Sequence, residues 1–366
     1  MEDLSMSDEI PVRSRFRNYT IHFTNDFRRP LQAFAERNCF FVIDSNVYER
    51  YGKGFDAVSD DRLVTIEANE FNKSLEKCRD VVIALIAKNF RRDEMLVAIG
   101  GGIIQDITAF SASILYRGVE WSFVPTTLLA QCDSCIGSKT SVNLEGKKNL
   151  IGNFYPPSDI HIDTTFLSSL STDDIKSGIG EMMHYYLYAG ESALLEEVKK
   201  DFEDILINRN LFKKHIVKSL EIKKSVVEID ELDKGERNKF NYGHTFGHAI
   251  ESITGYAIKH GQAVTVGMDL ANYVSMEQGL MSQETFHRIH DQLSFNFPEY
   301  AWSELNVDRY IQLLLNDKKN FETNVGCILA TQPGELFKRQ IPVDSRFRKV
   351  ILDYFNSELP KNNLSS

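Results

Sequence analysis

The chain has 366 residues, 42% of them apolar and 26% charged, a composition that excludes a disordered or fibrous protein and suffices for one large domain or two ordinary ones. Lys and Arg number 42 against 52 Asp and Glu, a formal charge of −10, which argues against a protein whose main task is to grip nucleic acid. No run of 18 apolar residues predicts a membrane-spanning helix, and the opening stretch MEDLSMSDEIPVRSRF lacks the basic and apolar regions of an export signal.

The first part alternates short apolar runs with helical patterns. CFFVID (39–44), LVTIE (63–67), MLVAIG (95–100), WSFVP (121–125) and DIHID (159–163) read as buried strands. Helical spacing of apolar residues runs through 72–90 and 103–116. Strand–helix alternation predicts an α/β unit with a mostly parallel sheet covered on both faces. After about residue 165 the pattern turns helical, with segments predicted at 172–190, 192–206, 211–229, 239–254, 260–278, 282–294 and 305–316. NVGCILAT (324–331) reads as the one strand of this part. The boundary falls near 165, after the prolines of YPPSDIHIDTTF, giving expected domains 1–165 and 166–366.

Several stretches carry chemistry. AIGGGIIQD (98–106) places three glycines between a strand and a helix, where backbone N–H groups and the helix dipole favour a phosphate. PTTLLAQCDSCIGSKTSVN (125–143) gathers hydroxyls, Asp133, Lys139, Thr140 and Asn143, the set expected of a loop holding a polyhydroxylated or phosphorylated ligand. Lys147 and Lys148 follow in KKNLIG. The five cysteines, Cys39, Cys78, Cys132, Cys135 and Cys327, include a Cys-x-x-Cys pair without a second such motif, and are expected to be free thiols in a reducing cytoplasm. GHTFGH puts His244 and His248 one helical turn apart, the spacing of a helical metal site. It is not H-E-x-x-H, so no metalloprotease base is present. Glu181 in GIGEMMHYY and His260 in KHGQAV are candidates for a further ligand, and one Glu with two His suits zinc with positions open for substrate.

GGGIIQD, YRGVE, VPTTLLAQCDSCIGSKTSVN, KKNLIGNFYPP, GIGEMM, KGERNKFNYGHTFGHAIE and HGQAVTVGM, in this order over residues 40–331, resemble 3-dehydroquinate synthases of the sugar phosphate cyclase superfamily. The resemblance implies a Rossmann-like nucleotide-binding domain, a mainly α-helical metal-binding domain, bound NAD, one Zn2+ or Co2+ ion and a homodimer. Carried over by position, the metal ligands are Glu181, His244 and His260, and His248 serves the substrate instead. NAD would meet Asp44, Asn46, Glu70, Lys73, Gly101, Gly102, Asp106, Thr126, Thr127, Lys139 and Lys148. A phosphorylated sugar or sugar acid would meet Asp133, Lys139, Asn149, His184, Lys223, Arg237, Asn241 and Lys318 or Lys319. Arg117 would reach a phosphate across the dimer interface.

The implied reaction is transient oxidation by NAD, elimination of phosphate, re-reduction and closure to a carbocycle, a lyase reaction with no net redox change. The implied substrate is 3-deoxy-arabino-heptulosonate 7-phosphate or a near analogue. Arg237 and Lys223 match its carboxylate. The alternatives are a cyclase of neutral sugar phosphates, of the deoxy-inosose or valiolone synthase kind, and a metal-dependent alcohol dehydrogenase. Three positions depart from the family pattern: Gln105 and Ser138 stand where glycines are usual, and His184 stands where a lysine is usual.

Overall fold

The computed structural model describes residues 8–145, 147–205, 209–315 and 324–359. Lys318 and Lys319 lie outside the described residues. The chain forms two compact units. The first comprises the chain up to Leu170 and the helical segment ending at Asp233, and the second comprises the rest.

In the first unit the elements are β1 (Glu9–Val12), β2 (Tyr19–Thr24), α1 (Arg28–Glu36), β3 (Phe40–Asp44), α2 (Ser45–Tyr51), β4 (Leu63–Ile66), α3 (Leu75–Ala87), β5 (Leu96–Gly100), α4 (Gly102–Ile114), β6 (Trp121–Pro125), β7 (Lys139–Leu144), β8 (Lys147–Phe154) and β9 (Asp159–Asp163). Seven strands form one sheet in the order β1-β2-β9-β6-β5-β3-β4. All neighbours run parallel except β1 and β2 at one edge. The central strands are buried on both faces: every residue of β5 and β6 is buried, as continuous apolar runs require in a covered parallel sheet.

β7 and β8 pair antiparallel outside this sheet. Residues 139–143 and 147–152, expected to be loop, are therefore strand. The reason is period-2 burial: Thr140 and Val142 point inward while Lys139, Ser141 and Asn143 carry the polar face.

The second unit begins with α5 (Thr172–Ala189) and α6 (Ser192–Ile205). The chain then returns as α7 (Arg209–Val227) to the first unit before continuing as α8 (His244–Ile253), α9 (His260–Glu277), α10 (Gln283–Leu293), α11 (Val307–Leu315), β10 (Asn324–Gln332), β11 (Glu335–Pro342) and α12 (Ser345–Ser357). The single boundary expected at 165 misses this return of α7. Ser219 and Lys223 on α7 donate to the carbonyls of Cys132 and Asp133, which ties the helix to the first unit.

α9 is buried from Gly261 to Ser275 and forms the centre of the second unit. α5 lies against it closely enough that a Cβ on Gly180 would sit 2.0 Å from the Gly261 carbonyl oxygen, so glycine is required there, and Glu181 is brought beside the start of α9. The helix expected over 239–254 is broken. A 3-10 turn covers Glu236–Asn241, Gly243 adopts φ +77, and α8 starts at His244. Among the described residues, no helix is long and apolar enough to cross a membrane.

Candidate active site

Three elements of the second unit converge on one point. α5 supplies Glu181 (2% exposed), the first residue of α8 is His244 and the first residue of α9 is His260. Glu181 Oε1 lies 3.5 Å from His244 Nε2 and 3.3 Å from His260 Nε2. It has no hydrogen-bond partner among the described residues. The potential ligand atoms of the three residues lie within 4.8 Å of one another.

Both imidazoles are turned by their other nitrogen. His244 Nδ1 is 3.1 Å from the Tyr242 carbonyl oxygen and His260 Nδ1 is 3.1 Å from Glu251 Oε2. Each acceptor engages Nδ1, so Nε2, the nitrogen that faces Glu181, is the one open to a metal ion. Burial alone would raise the Glu181 pKa, but the two imidazoles outweigh it and hold the carboxyl well below the ordinary range. Burial opposes charge on His260, yet Glu251 and Glu181 raise its pKa well above the ordinary value. A pocket this negative favours a cation, and one carboxylate with two imidazoles fits a divalent ion such as zinc.

His248, Glu251 and His260 form a second possible ligand group. The first set fits better, because Glu251 is engaged by His260 Nδ1 while Glu181 Oε1 is left without a partner. His184 is fully buried, with Nδ1 3.8 Å from Glu181 Oε2 and its ring centroid 5.2 Å from that of His244. Arg237 is buried in the turn before α8, and Asn241 in the same turn donates to the Asn238 carbonyl at 2.9 Å.

The first unit gathers a separate set at the carboxyl ends of its strands, the edge where open α/β sheets bind ligands. Asp44 ends β3 and caps α2 by accepting from the Asn46 amide. Gly101 and Gly102 turn β5 into α4, and a Cβ on Gly101 would meet Thr127 Cγ2 at 3.0 Å. The Thr126 amide donates to the Gly100 carbonyl at 2.9 Å, which fixes the turns after β5 and β6 side by side.

Lys73 Nζ lies 2.6 Å from Asp106 Oδ2 and donates to Asn149 Oδ1 at 2.8 Å. Asn143 donates to Glu70 Oε1 at 2.8 Å, and Lys148 Nζ lies 3.9 Å from the same oxygen. The Asn149 amide donates to Asn143 Oδ1 at 2.9 Å, which joins Glu70, Lys73, Asp106, Asn143, Lys148 and Asn149 into one connected group.

Asp133 sits in a π-helical turn after β6 and accepts from Lys223 Nζ at 2.7 Å. Lys139 pairs with Asp233 at 2.5 Å. Arg117 is exposed, in left-handed backbone (φ +67) just past α4.

The unusual residues in this unit are built into hydrogen bonds. Gln105 donates to the Ser134 carbonyl at 2.7 Å and accepts from Ser134 Oγ at 2.6 Å, joining α4 to the turn that carries Asp133. Ser138, at φ +63, donates to buried Glu231. Cys132 and Cys135 are buried, and burial pushes the Cys135 thiol up to about 12, so the pair is inert packing.

Glu251, Ser141, Glu231 and Asp233 escape a reading by motif. Glu251 had a signal: it follows His244 by seven residues, which places it on the same helical face. Ser141, which holds Asp106 through its amide at 2.9 Å, becomes visible once β7 is known to be a strand.

Residues 63–177 match the 3-dehydroquinate synthase N-terminal family and residues 178–320 the 3-dehydroquinate synthase C-terminal family. The 3-dehydroquinate synthase of Pelagibacter ubique is 33% identical over 341 residues, covering 89% of this chain and 93% of that one. The fold is that of 2-deoxy-scyllo-inosose synthase complexed with carbaglucose-6-phosphate, NAD+ and Co2+ (TM-score 0.80, 23% identity, 94% of this chain and 99% of that one). It is also that of 2-epi-5-epi-valiolone synthase from Streptomyces hygroscopicus with NAD+ and Zn2+ bound (TM-score 0.81, 21% identity, 94% and 98%). With the sequence match running through both units, the chain belongs to the 3-dehydroquinate synthase family.

Proposed function

We propose that this protein is a carbocycle-forming phosphate lyase that converts 3-deoxy-arabino-heptulosonate 7-phosphate, or a close analogue, to a cyclic ketone with release of phosphate. The observation that carries the reading is the convergence of Glu181, His244 and His260, with both Nε2 atoms turned on an unpartnered carboxylate oxygen, in a chain of this family. The fold relatives carry NAD+ with Co2+ or Zn2+, which supports the same pair here. When bound, NAD accepts and returns a hydride, and the divalent ion polarises the hydroxyl that is oxidised.

The chain's own residues bind, orient and move protons. Glu181, His244 and His260 hold the ion. Glu70, Lys73, Asp106, Lys148, Gly101, Gly102, Thr126, Thr127, Asp44 and Asn46 hold NAD, with Lys139 serving NAD or substrate. Arg237 takes the substrate carboxylate, since a guanidinium matches it with two parallel hydrogen bonds. Lys223, oriented by Asp133, adds a second cation. Asn149, Asn241 and one or both of Lys318 and Lys319 take the remaining polar groups. His248, outside the ligand set, faces the substrate near its phosphate, where an imidazole exchanges a proton near neutral pH. The protein acts in the cytoplasm as a homodimer, with Arg117 reaching a phosphate across the interface.

A second reading, a cyclase of neutral sugar phosphates, is favoured by His184, which takes the place of a charged lysine beside Glu181. Following phosphate release from a panel of heptulose and hexose phosphates separates the two. Release from the heptulosonate supports the first reading, and release from a hexose phosphate alone supports the second.

A further inference from the structure

We infer that Glu251 is a positioning residue for the metal centre, its carboxylate holding His260 by Nδ1 so that Nε2 is presented to Glu181. The inference rests on the assignment of Glu181, His244 and His260 as the ligands.

An imidazole ring has two broad orientations about its last side-chain torsion and two neutral tautomers. His260 is the first residue of α9, and Lys259 before it contributes no side-chain cap. Helix geometry therefore leaves the ring's orientation open. Glu251 settles it: the eighth residue of α8 places Oε2 3.1 Å from His260 Nδ1, with the Glu251 side chain 9% exposed. A carboxylate can only accept here, so Nδ1 carries a proton and is engaged by Glu251, and Nε2, 3.3 Å from Glu181 Oε1, is the nitrogen presented to a metal ion.

His244 is turned differently, by the neutral carbonyl of Tyr242. The two histidine ligands are thus unequal. The anionic partner makes His260 the more basic donor, and removing such a partner typically weakens metal binding 10- to 100-fold. His248 stacks on His260, with ring centroids 5.7 Å apart and planes at 27°, and backs the same orientation.

The test uses the full chain, stripped of metal and titrated with Zn2+ against a competing chelator, in wild type, Glu251→Gln, Glu251→Ala and, as a control, His260→Ala. Glu251→Gln keeps a neutral acceptor of the same shape and is expected to bind Zn2+ about tenfold more weakly; Glu251→Ala is expected to bind up to about 100-fold more weakly. NAD affinity should be unchanged in both. The visible absorption of the Co2+-loaded variants should also shift, which a merely structural role for Glu251 would not produce. Zn2+ affinity within about twofold of wild type in both Glu251 variants, with His260→Ala defective, would overturn the inference alone. A loss in Glu251→Gln as large as that in His260→Ala would make Glu251 a direct ligand and also overturn it. If His260→Ala binds Zn2+ like wild type, the ligand assignment itself fails and the inference falls with it.

Discussion

His244 and His248 stand one turn apart on α8 with ring centroids 5.6 Å apart and planes at 82°, and it is His244 whose Nε2 lies 3.5 Å from Glu181 Oε1. In the proposed reaction the helical pair is divided between two tasks, metal binding by His244 and service to the substrate by His248. His244→Ala is expected to lose both bound metal and activity, whereas His248→Ala keeps near-normal metal content and turns over slowly. General acid–base groups contribute about 10²- to 10⁴-fold, which sets the size of the second effect. Metal analysis of the two purified variants checks the division, and equal loss of metal in both contradicts it.

The Lys73–Asp106 contact supports a second expectation. Their side chains are 12% and 16% exposed and meet at 2.6 Å, with Ser141 holding the carboxylate from the other side. Asp106→Ala removes the anion that orients Lys73. NAD affinity should fall about 10- to 100-fold, the effect of losing a charge-assisted hydrogen bond of about 1.5–3 kcal/mol. Zn2+ affinity should stay constant. Calorimetric titration with NAD checks this, and unchanged NAD affinity removes Asp106 from the cofactor site.

The parts of the fold legible in the sequence are those where one physical signal dominates. β3, β5 and β6 read directly because strands buried on both faces are continuous apolar runs. β1 and β2 carry no such signal: they lie at one edge of the sheet, where burial alternates and the apolar run is lost. β7 and β8 are hidden because their polar, partly exposed residues resemble those of a solvated loop. β11 is mostly exposed and carries no continuous apolar run. In the site, the grouping of Glu181, His244 and His260 is legible through motif resemblance, while the contacts of Glu251 and Glu231 are not, because they join residues 9 and 93 apart in sequence.

A buried network centred further along α9 predicts a pH effect on stability. Asp269 on α9 is fully buried, and its Oδ2 lies 2.9 Å from His290 Nδ1 on α10 and accepts from Tyr354 on α12 at 2.7 Å. Burial opposes the imidazolium, but Asp269, aided by Glu358 and Asp291, raises the His290 pKa above 6.5. A raised folded-state pKa gives stability that is fully present below about 6.5, the unfolded value, and lost as pH rises through the folded value. His290→Gln should therefore lower the Tm most at pH 6 and least at alkaline pH. A Tm difference that does not vary with pH contradicts the assignment.

His184 bears on the choice of substrate. A lysine there would place a fixed charge on a longer stem beside Glu181. A charge-assisted hydrogen bond is worth about 1.5–3 kcal/mol, so His184→Lys should raise kcat/KM on 3-deoxy-arabino-heptulosonate 7-phosphate about 10- to 100-fold. If wild type already turns over this substrate at ordinary rates and lysine adds nothing, position 184 does not discriminate. If wild type accepts neutral sugar phosphates alone, the second reading stands.

In the proposed reaction, oxidation by NAD is transient within a phosphate elimination. The measurement is phosphate release from 3-deoxy-arabino-heptulosonate 7-phosphate, followed together with absorbance at about 340 nm, the NADH band, in enzyme freed of NAD and then given a sub-stoichiometric amount of it. No phosphate is expected before NAD is added, many turnovers afterwards, and no net NADH. Accumulation of one NADH per substrate consumed, or phosphate release independent of NAD, would contradict it.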